Sequence, residues 1–317
     1  FRFSLGETDY QLGATDYERF AAEYAFFGRS VWQQTLNLTD EEKTELIRLL
    51  QENYRPENRV YRYNFFYDNC ATRPRDKIEE SIAGKVIYPA EPQDGSLTFR
   101  DIVHQYCKGH PWARFGIDLC IGSEADQPIT QRQMMFAPFY LMDAFDGAQI
   151  KGDSIQRPLI TANELIVDAT PEPDESDWMP TPLQCSLLLF ILTAAATIYG
   201  IRRRTGLWGI DLFLFGIAGI VGCVLAFLAL FSQHPAVSSN FLLLVFHPGQ
   251  LLFLPYIIYC VRKGKKCWYL TLNLAVLTLF IVLFPVIPQR FDFAVVPLAL
   301  VLLIRSASNL IVTSKKK

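Results

Sequence analysis

Apolar positions along the chain change both period and density near residue 180. Before that point they recur at the spacings of short helices and strands. Residues 16–27 have helical spacing and stop at Gly28. Residues 38–54 predict the clearest helix. Thr39 caps it, Glu41 and Glu42 load its first turn, Leu46, Leu49 and Leu50 form one apolar stripe, and Arg55-Pro56-Glu57-Asn58 ends it. Tyr61, Tyr63, Phe65 and Tyr67 then alternate with Arg62, Asn64 and Phe66, the period of a strand, until Asp68-Asn69. Another helix follows Cys70 to about Ala83, with Thr72 as its cap, Pro74 in its first turn, and Asp76, Glu79 and Glu80 in its first turns. Further helices are expected over 97–106, capped by Thr98, over 111–121, closed by Gly122, and over 130–145, whose Met and aromatic stripe reads as core. Residues 1–12 read as two short strands around Gly6-Glu7, and 148–167 as one or two more.

After residue 183 the pattern becomes a series of long apolar runs. Five spans fit, at roughly 183–201, 209–231, 240–260, 268–288 and 291–312, each near the length needed to cross a hydrocarbon core. The expected organisation is therefore a soluble domain over 1–169, an acidic Pro-rich linker over 170–182, with Trp178 suited to a membrane interface, and a transmembrane domain over 183–314. Basic residues cluster in alternate loops: Arg202, Arg203 and Arg204; Arg262, Lys263, Lys265 and Lys266; Lys315, Lys316 and Lys317. The intervening loops, 232–239 and 289–290, hold only Arg290. The positive-inside rule puts the clusters in the cytoplasm, and an odd span count puts residues 1–169 on the opposite side, the periplasm of a Gram-negative cell. Two details of the spans stand out. His247-Pro248-Gly249-Gln250 reads as a kinked or partly re-entrant segment lining a lipid-access groove, or as a kink held by neighbouring helices. Arg305 falls in the cytoplasmic half of the last span, where it either snorkels or meets a lipid phosphate.

A net charge of −2 gives no reason to expect nucleic acid as a partner. The chain opens with Phe1 and a strand-like run without a signal peptide, so it reads as a fragment, or a mature piece of something longer, with room for a catalytic partner upstream.

Candidate chemistry centres on Cys70. A helix N-terminus favours a thiolate, and Arg73 and Arg75 push the same way, against the nearby acids. The alternative is a small buried hydrophobe at a strand–helix junction. A thiolate nucleophile needs a base, and four histidines are visible. His104 reads as a solvated face residue, His110 as a helix-start residue, and His247 lies in a span. His234, in the outer loop Ser232-Gln233-His234-Pro235, lies on the same side as Cys70 and is a candidate for the mouth of the domain. Cys107 and Cys120 are available to pair in an oxidising compartment, leaving Cys70 free, but spacing does not decide it. No metal-ligand spacing, phosphate loop or serine elbow appears, so neither a metal nor a cofactor is expected.

The stretch Y-R-Y-N-F-F-Y-D-N-C-A-T-R-P-R-D at 61–76 resembles the N-terminal periplasmic domain of the Lnb lipoprotein N-acyltransferases, found mostly in Bacteroidota. L-G-E-T-D-Y-Q-L-G at 5–13, E-Y-A-F-F-G-R-S at 23–30, L-N-L-T at 36–39, R-P-E-N-R at 55–59 and P-W-A-R-F-G-I-D-L at 111–119 agree, as does the helical tail. The resemblance implies an α+β fold: a permuted papain-like (NlpC-type) cysteine domain, N-terminally truncated, followed by an all-α membrane domain of about five helices. It implies Cys70 as nucleophile, and Asp68 and Asn69 as site-shaping or oxyanion-hole groups. The family's histidine lies in an F-G-H-type motif upstream of the strand that opens this chain; this sequence has no such motif, so the piece is expected to be catalytically incomplete. The implied activity moves an acyl chain from a phospholipid, through a Cys70 thioester, to the N-terminal amine of a diacylated lipoprotein at the bacterial inner membrane. Two other readings fit the residues: a periplasmic cell-wall amidase or peptidase using the same dyad, and a non-catalytic membrane scaffold.

Overall fold

A computed structural model describes residues 5–91, 94–152, 156–169 and 179–314. The linker 170–178, with Trp178, and the terminal lysines 315–317 lie outside the described residues. Backbone contacts divide the chain into two units, Phe1–Val103 with Pro128–Glu175, and His104–Gln127 with Ser176–Lys317.

The elements in chain order are β1 (Asp9–Gln11), α1 (Tyr17–Phe26), β2 (Val31–Leu36), α2 (Asp40–Tyr54), β3 (Val60–Arg62), α3 (Thr72–Ser81), β4 (Lys85–Ile87), α4 (Phe99–Tyr106) and α5 (Pro111–Cys120). They continue as α6 (Gln131–Met134), α7 (Pro138–Asp146), β5 (Gln149–Lys151), β6 (Gln156–Pro158) and β7 (Ile160–Val167). The apolar region forms α8 (Pro182–Arg203), α9 (Trp208–Phe231), α10 (Pro235–Ser238), α11 (Pro248–Leu252), α12 (Leu254–Lys263), α13 (Trp268–Leu283) and α14 (Val295–Ser314). The division between the units falls within α4.

The first unit is α+β. Its described strands form three small antiparallel sheets, β1 with β3, β2 with β7, and β4-β5-β6. Helix α2 starts where its sequence predicts. The Thr39 hydroxyl accepts from Glu42 N, and the Glu42 carboxylate accepts from Thr39 N. Glu42 also accepts from Ala83 N and pairs with Arg157, so one buried side chain ties α2 to the end of α3 and to β6. A core of Leu38, Ile82, Phe145, Ala148, Ile150, Leu159 and Ile160 lies between these elements. Each large side chain there gains about 1.5–3 kcal/mol from leaving water. The single helix expected over 130–145 is two helices, because Pro138 lacks an N–H and drives Ala137 into extended backbone at ψ 131°. Its Met134, Met135 and Phe136 are core, as expected.

The second unit departs from an even row of five spans. Among the described residues three helices, α8, α9 and α14, are long and apolar enough to cross a membrane, and α12 with α13 form a pair bent by 111° that passes the same test together. The expected span over 240–260 is not one helix. Asn240 caps a short 3-10 turn, Phe241–Leu244; the backbone is extended at His247; then α11 and α12 follow. Pro248 and Pro255 each remove a helical donor, which is why a continuous ladder does not form. The broken segment lies against a glycine stripe on α9: a Cβ built on Gly219 would stand 2.5 Å from Leu251 N, and one on Gly222 2.5 Å from His247 Cα. Arg305 does not snorkel. It is 2 % exposed, forks onto the Asp211 carboxylate at 2.7 and 3.1 Å, and donates to Thr197 Oγ1 at 2.9 Å.

Residues 104–127, expected within the soluble domain, belong to this second unit for a chemical reason. Asn240 Nδ2 donates to Leu119 O, Gln289 Nε2 to Ile121 O, and Ser123 N to Ser239 O.

Candidate active site around Cys70

The strand leading to Cys70 is shorter than its alternation predicts. It ends at Arg62, and residues 64–68 turn back on themselves, with Asn64 N bonded to Asp68 O and Asp68 N to Asn64 O. The Asn64 carboxamide oxygen accepts from Phe66 N and Tyr67 N, replacing ladder bonds with a side-chain turn. That turn sends Phe66 inward, stacked on Phe99 at 4.3 Å and edge-on to Phe136. Alternation alone assigned Phe66 to the opposite face from Phe65 but gave no sign of the turn.

Asn69 then fixes the start of α3. Its Oδ1 accepts from Ala71 N at 2.8 Å and Thr72 N at 3.0 Å, and its Nδ2 donates to Phe65 O and Phe136 O. Thr72 is not the cap; its hydroxyl accepts from Asn69 N instead. The sequence signal was present, because Asn three residues before Thr is a reciprocal pair of the capping kind. Asn69 is therefore a site-shaping residue by geometry, and buried at 4 % exposure.

Cys70 sits between this clamp and the helix, and its residue is exposed. It is not the buried small hydrophobe of the alternative reading. Ala71 and Thr72 N–H groups are committed to Asn69, while among the described residues no hydrogen bond engages the Cys70 N–H. Arg73 forks onto Asp68 at 2.6 and 2.7 Å and stacks over Tyr61, its guanidinium carbon 3.6 Å from the ring centre. Tyr10 stacks on Tyr63 at 4.1 Å. Burial first, then its nearness to Cys70, pushes the Tyr63 phenol up to about 12. Tyr61 is raised by burial too, partly offset by Arg73. Tyr61 and Tyr63 thus lie near the thiol, backed by Arg73 and Tyr10, with the Arg73 charge paired to Asp68. Arg75, expected to support a thiolate, points elsewhere, to Asp76 and Arg132 O. Asp76 and Glu79 do not act against a thiolate as bare carboxylates, because Arg132 pairs with both.

No histidine belongs to the first unit; all four fall in the second. His234 starts α10 and is half-buried. His104 is not a solvated face residue, since its Nε2 lies 2.8 Å from Oδ1 of Asp118, which is 2 % exposed. Cys107 and Cys120 are free thiols, both pushed up by burial, Cys107 also by the Asp118 carboxylate.

Two family models match the chain. The Lnb N-terminal periplasmic domain covers residues 1–104, and the Lnb transmembrane domain covers residues 174–317. The chain belongs to the Lnb family. Its boundary at residue 104 coincides with the division of the structure within α4. Lnb membership makes this a membrane protein with a periplasmic N-terminal domain, connected with lipoprotein biogenesis. No curated protein and no solved structure matches.

Proposed function

We propose that the chain is a membrane-bound lipoprotein N-acyltransferase acting through Cys70, with a first unit related to permuted papain-like domains. The observation that carries this reading is the exposed Cys70 thiol, clamped by Asn69 at the start of α3, in a chain whose Lnb membership adds a transmembrane domain. The Cys70 thiolate adds to an ester carbonyl of a phospholipid. The C–S bond forms, the C–O bond breaks, and the lysophospholipid alkoxide leaves with a proton from the general base. The free α-amine of a diacylated lipoprotein then attacks the thioester. The C–N bond forms, the C–S bond breaks, and the amine proton returns to the base. The Cys70 N–H is one oxyanion donor, a contribution worth about 3 kcal/mol of barrier in comparable sites. The general base is the imidazole that the family resemblance implies. The unit carrying Cys70 is periplasmic in this reading, and the basic loops 202–204 and 262–266, with the C-terminus, are cytoplasmic.

The test expresses the complete gene product, with Cys70 or Cys70→Ala, in cells lacking their own lipoprotein N-acylation. The N-terminal mass of a reporter lipoprotein should gain one acyl chain with Cys70 and none with Ala. Acylation that persists without Cys70 rules out the thioester.

A further inference from the structure

The second unit contains a polar relay among its apolar helices. Ser306 Oγ donates to Leu302 O, Asn273 Nδ2 donates to Ser306 Oγ at 3.0 Å, and Asn273 Oδ1 faces His247 Nε2 at 3.3 Å. Because the Asn273 amide nitrogen is committed to Ser306, its oxygen must accept, so His247 carries its proton on Nε2. In the neutral ring Nδ1 is then a free acceptor. The relay lies within the apolar length of its helices: Ser306 is about 16 Å along α14 from Val295, and Asn273 about 7 Å along α13 from Trp268.

A second group converges on Nδ1. The Tyr269 hydroxyl belongs to a residue 3 % exposed and has no hydrogen-bond partner among the described residues. A Cβ built on Gly249 would stand 2.9 Å from His247 Nδ1 and 3.3 Å from Tyr269 Oη, so both polar atoms border the bare face of Gly249. Burying a hydroxyl without a partner costs about 1–3 kcal/mol. The backbone that presents His247 is held in place by its close approach to Gly222.

We propose that His247 Nδ1 and Tyr269 Oη form an intramembrane binding site for a neutral hydroxyl, supplied by the glycerol headgroup of a bilayer lipid. The hydroxyl donates to Nδ1 and accepts from Tyr269, which matches one acceptor and one donor. The pair itself matches no ion, because no carboxylate belongs to the relay and the neighbouring Arg305 is committed to Asp211 and Thr197, so only the headgroup hydroxyl, and not the lipid phosphate, enters it. A lipid reaches the site from the side. His247 is only half-buried, and Leu251 and Leu252, on the same short helix, are 37 % and 74 % exposed. The inference is independent of the Cys70 chemistry.

The test places the full chain in phosphatidylcholine nanodiscs doped with equal fractions of phosphatidylglycerol, phosphatidylethanolamine or phosphatidic acid. A benzophenone side chain replaces Leu252, or Leu251 in a second preparation, and the photo-captured lipid is identified by mass. Phosphatidylglycerol should exceed its mole fraction by about fivefold, the worth of one net hydrogen bond. Tyr269→Phe should bring capture to parity while the melting temperature holds or rises, since an unpartnered hydroxyl has been removed. Gly249→Ala, which crowds Nδ1, should also reach parity. Capture that follows mole fraction in the unsubstituted chain means the relay holds only water and overturns the site. Equal capture of phosphatidic acid or phosphatidylethanolamine overturns the hydroxyl assignment. A Tyr269→Phe chain that melts lower shows a structural hydroxyl and does the same.

Discussion

Asn69 does more at the candidate site than any group except the thiol itself. It saturates both of its amide functions, stopping the turn that precedes Cys70 and starting the helix that follows, and it reaches Phe136 in the aromatic core. Asn69→Ala leaves two carbonyls and two helix-start N–H groups without that partner. It is expected to cost about 2–3 kcal/mol, within the range for stranded buried polar groups. Asn69→Asp keeps the acceptor and loses only the two donations, so its loss should be smaller at neutral pH. Thermal unfolding of the solubilised chain, read alongside reporter acylation, separates the two. Equal melting of Asn69→Ala and the unsubstituted chain would remove Asn69 from any organising role. The position of Cys70 at a helix start was legible from its neighbours. The cap was misassigned to Thr72 because both residues favour N-caps, and only the fold says which backbone groups each one meets.

At the scale of elements, Glu42 joins α2, the end of α3 and β6 through one carboxylate. Burial raises its pKa, but Thr39 N–H, Arg157 and Ala83 N–H outweigh that, and the net position is below the ordinary 4.5. A carboxyl depressed on folding adds stability above its unfolded pKa and loses it as pH falls through the folded one. Glu42→Gln is therefore expected to lose about 2–3 kcal/mol at neutral pH, where Arg157 keeps no charged partner. The difference from the unsubstituted chain should shrink as pH falls below 4.5. Melting temperatures across that acid range check it, and a gap that stays constant would show that the carboxylate's charge contributes nothing. The capping box at Thr39 was readable because it is local in sequence. The strand Val31–Leu36 was not, because its strand partner among the described residues, β7, lies more than a hundred residues away and its sequence carries no clean alternation. The break of the 130–145 helix was readable in principle from Pro138 and was passed over in favour of a continuous apolar stripe.

At the scale of the molecule, hydropathy located the membrane region and its apolar runs but not the breaks inside them. Apolar length does not reveal where proline and glycine make a helix give way to a packed, re-entrant path. The same limit hid the membership of residues 104–127, which are polar enough to read as part of a soluble domain. Their attachment rests on a small buried amide network. Asn240 Oδ1 accepts from Leu242 N and from Gln289 Nε2, and its Nδ2 donates to Leu119 O, with Asn240 6 % exposed and Gln289 3 %. Asn240→Ala removes this partner from the Leu119 carbonyl, from Leu242 N and from one of the two Gln289 Nε2 hydrogens, the other staying on Ile121 O, so it should loosen α5 and the 3-10 turn as one cooperative patch. Hydrogen exchange on the full chain in detergent is the direct measurement. Amides over 117–123 and 241–246 should lose protection together, by roughly tenfold for about 1.4 kcal/mol of local stability, while β2 and β7 of the first unit keep theirs. If the 117–123 amides instead exchange in step with β2 and β7, residues 104–127 act with the first unit and the division within α4 is wrong.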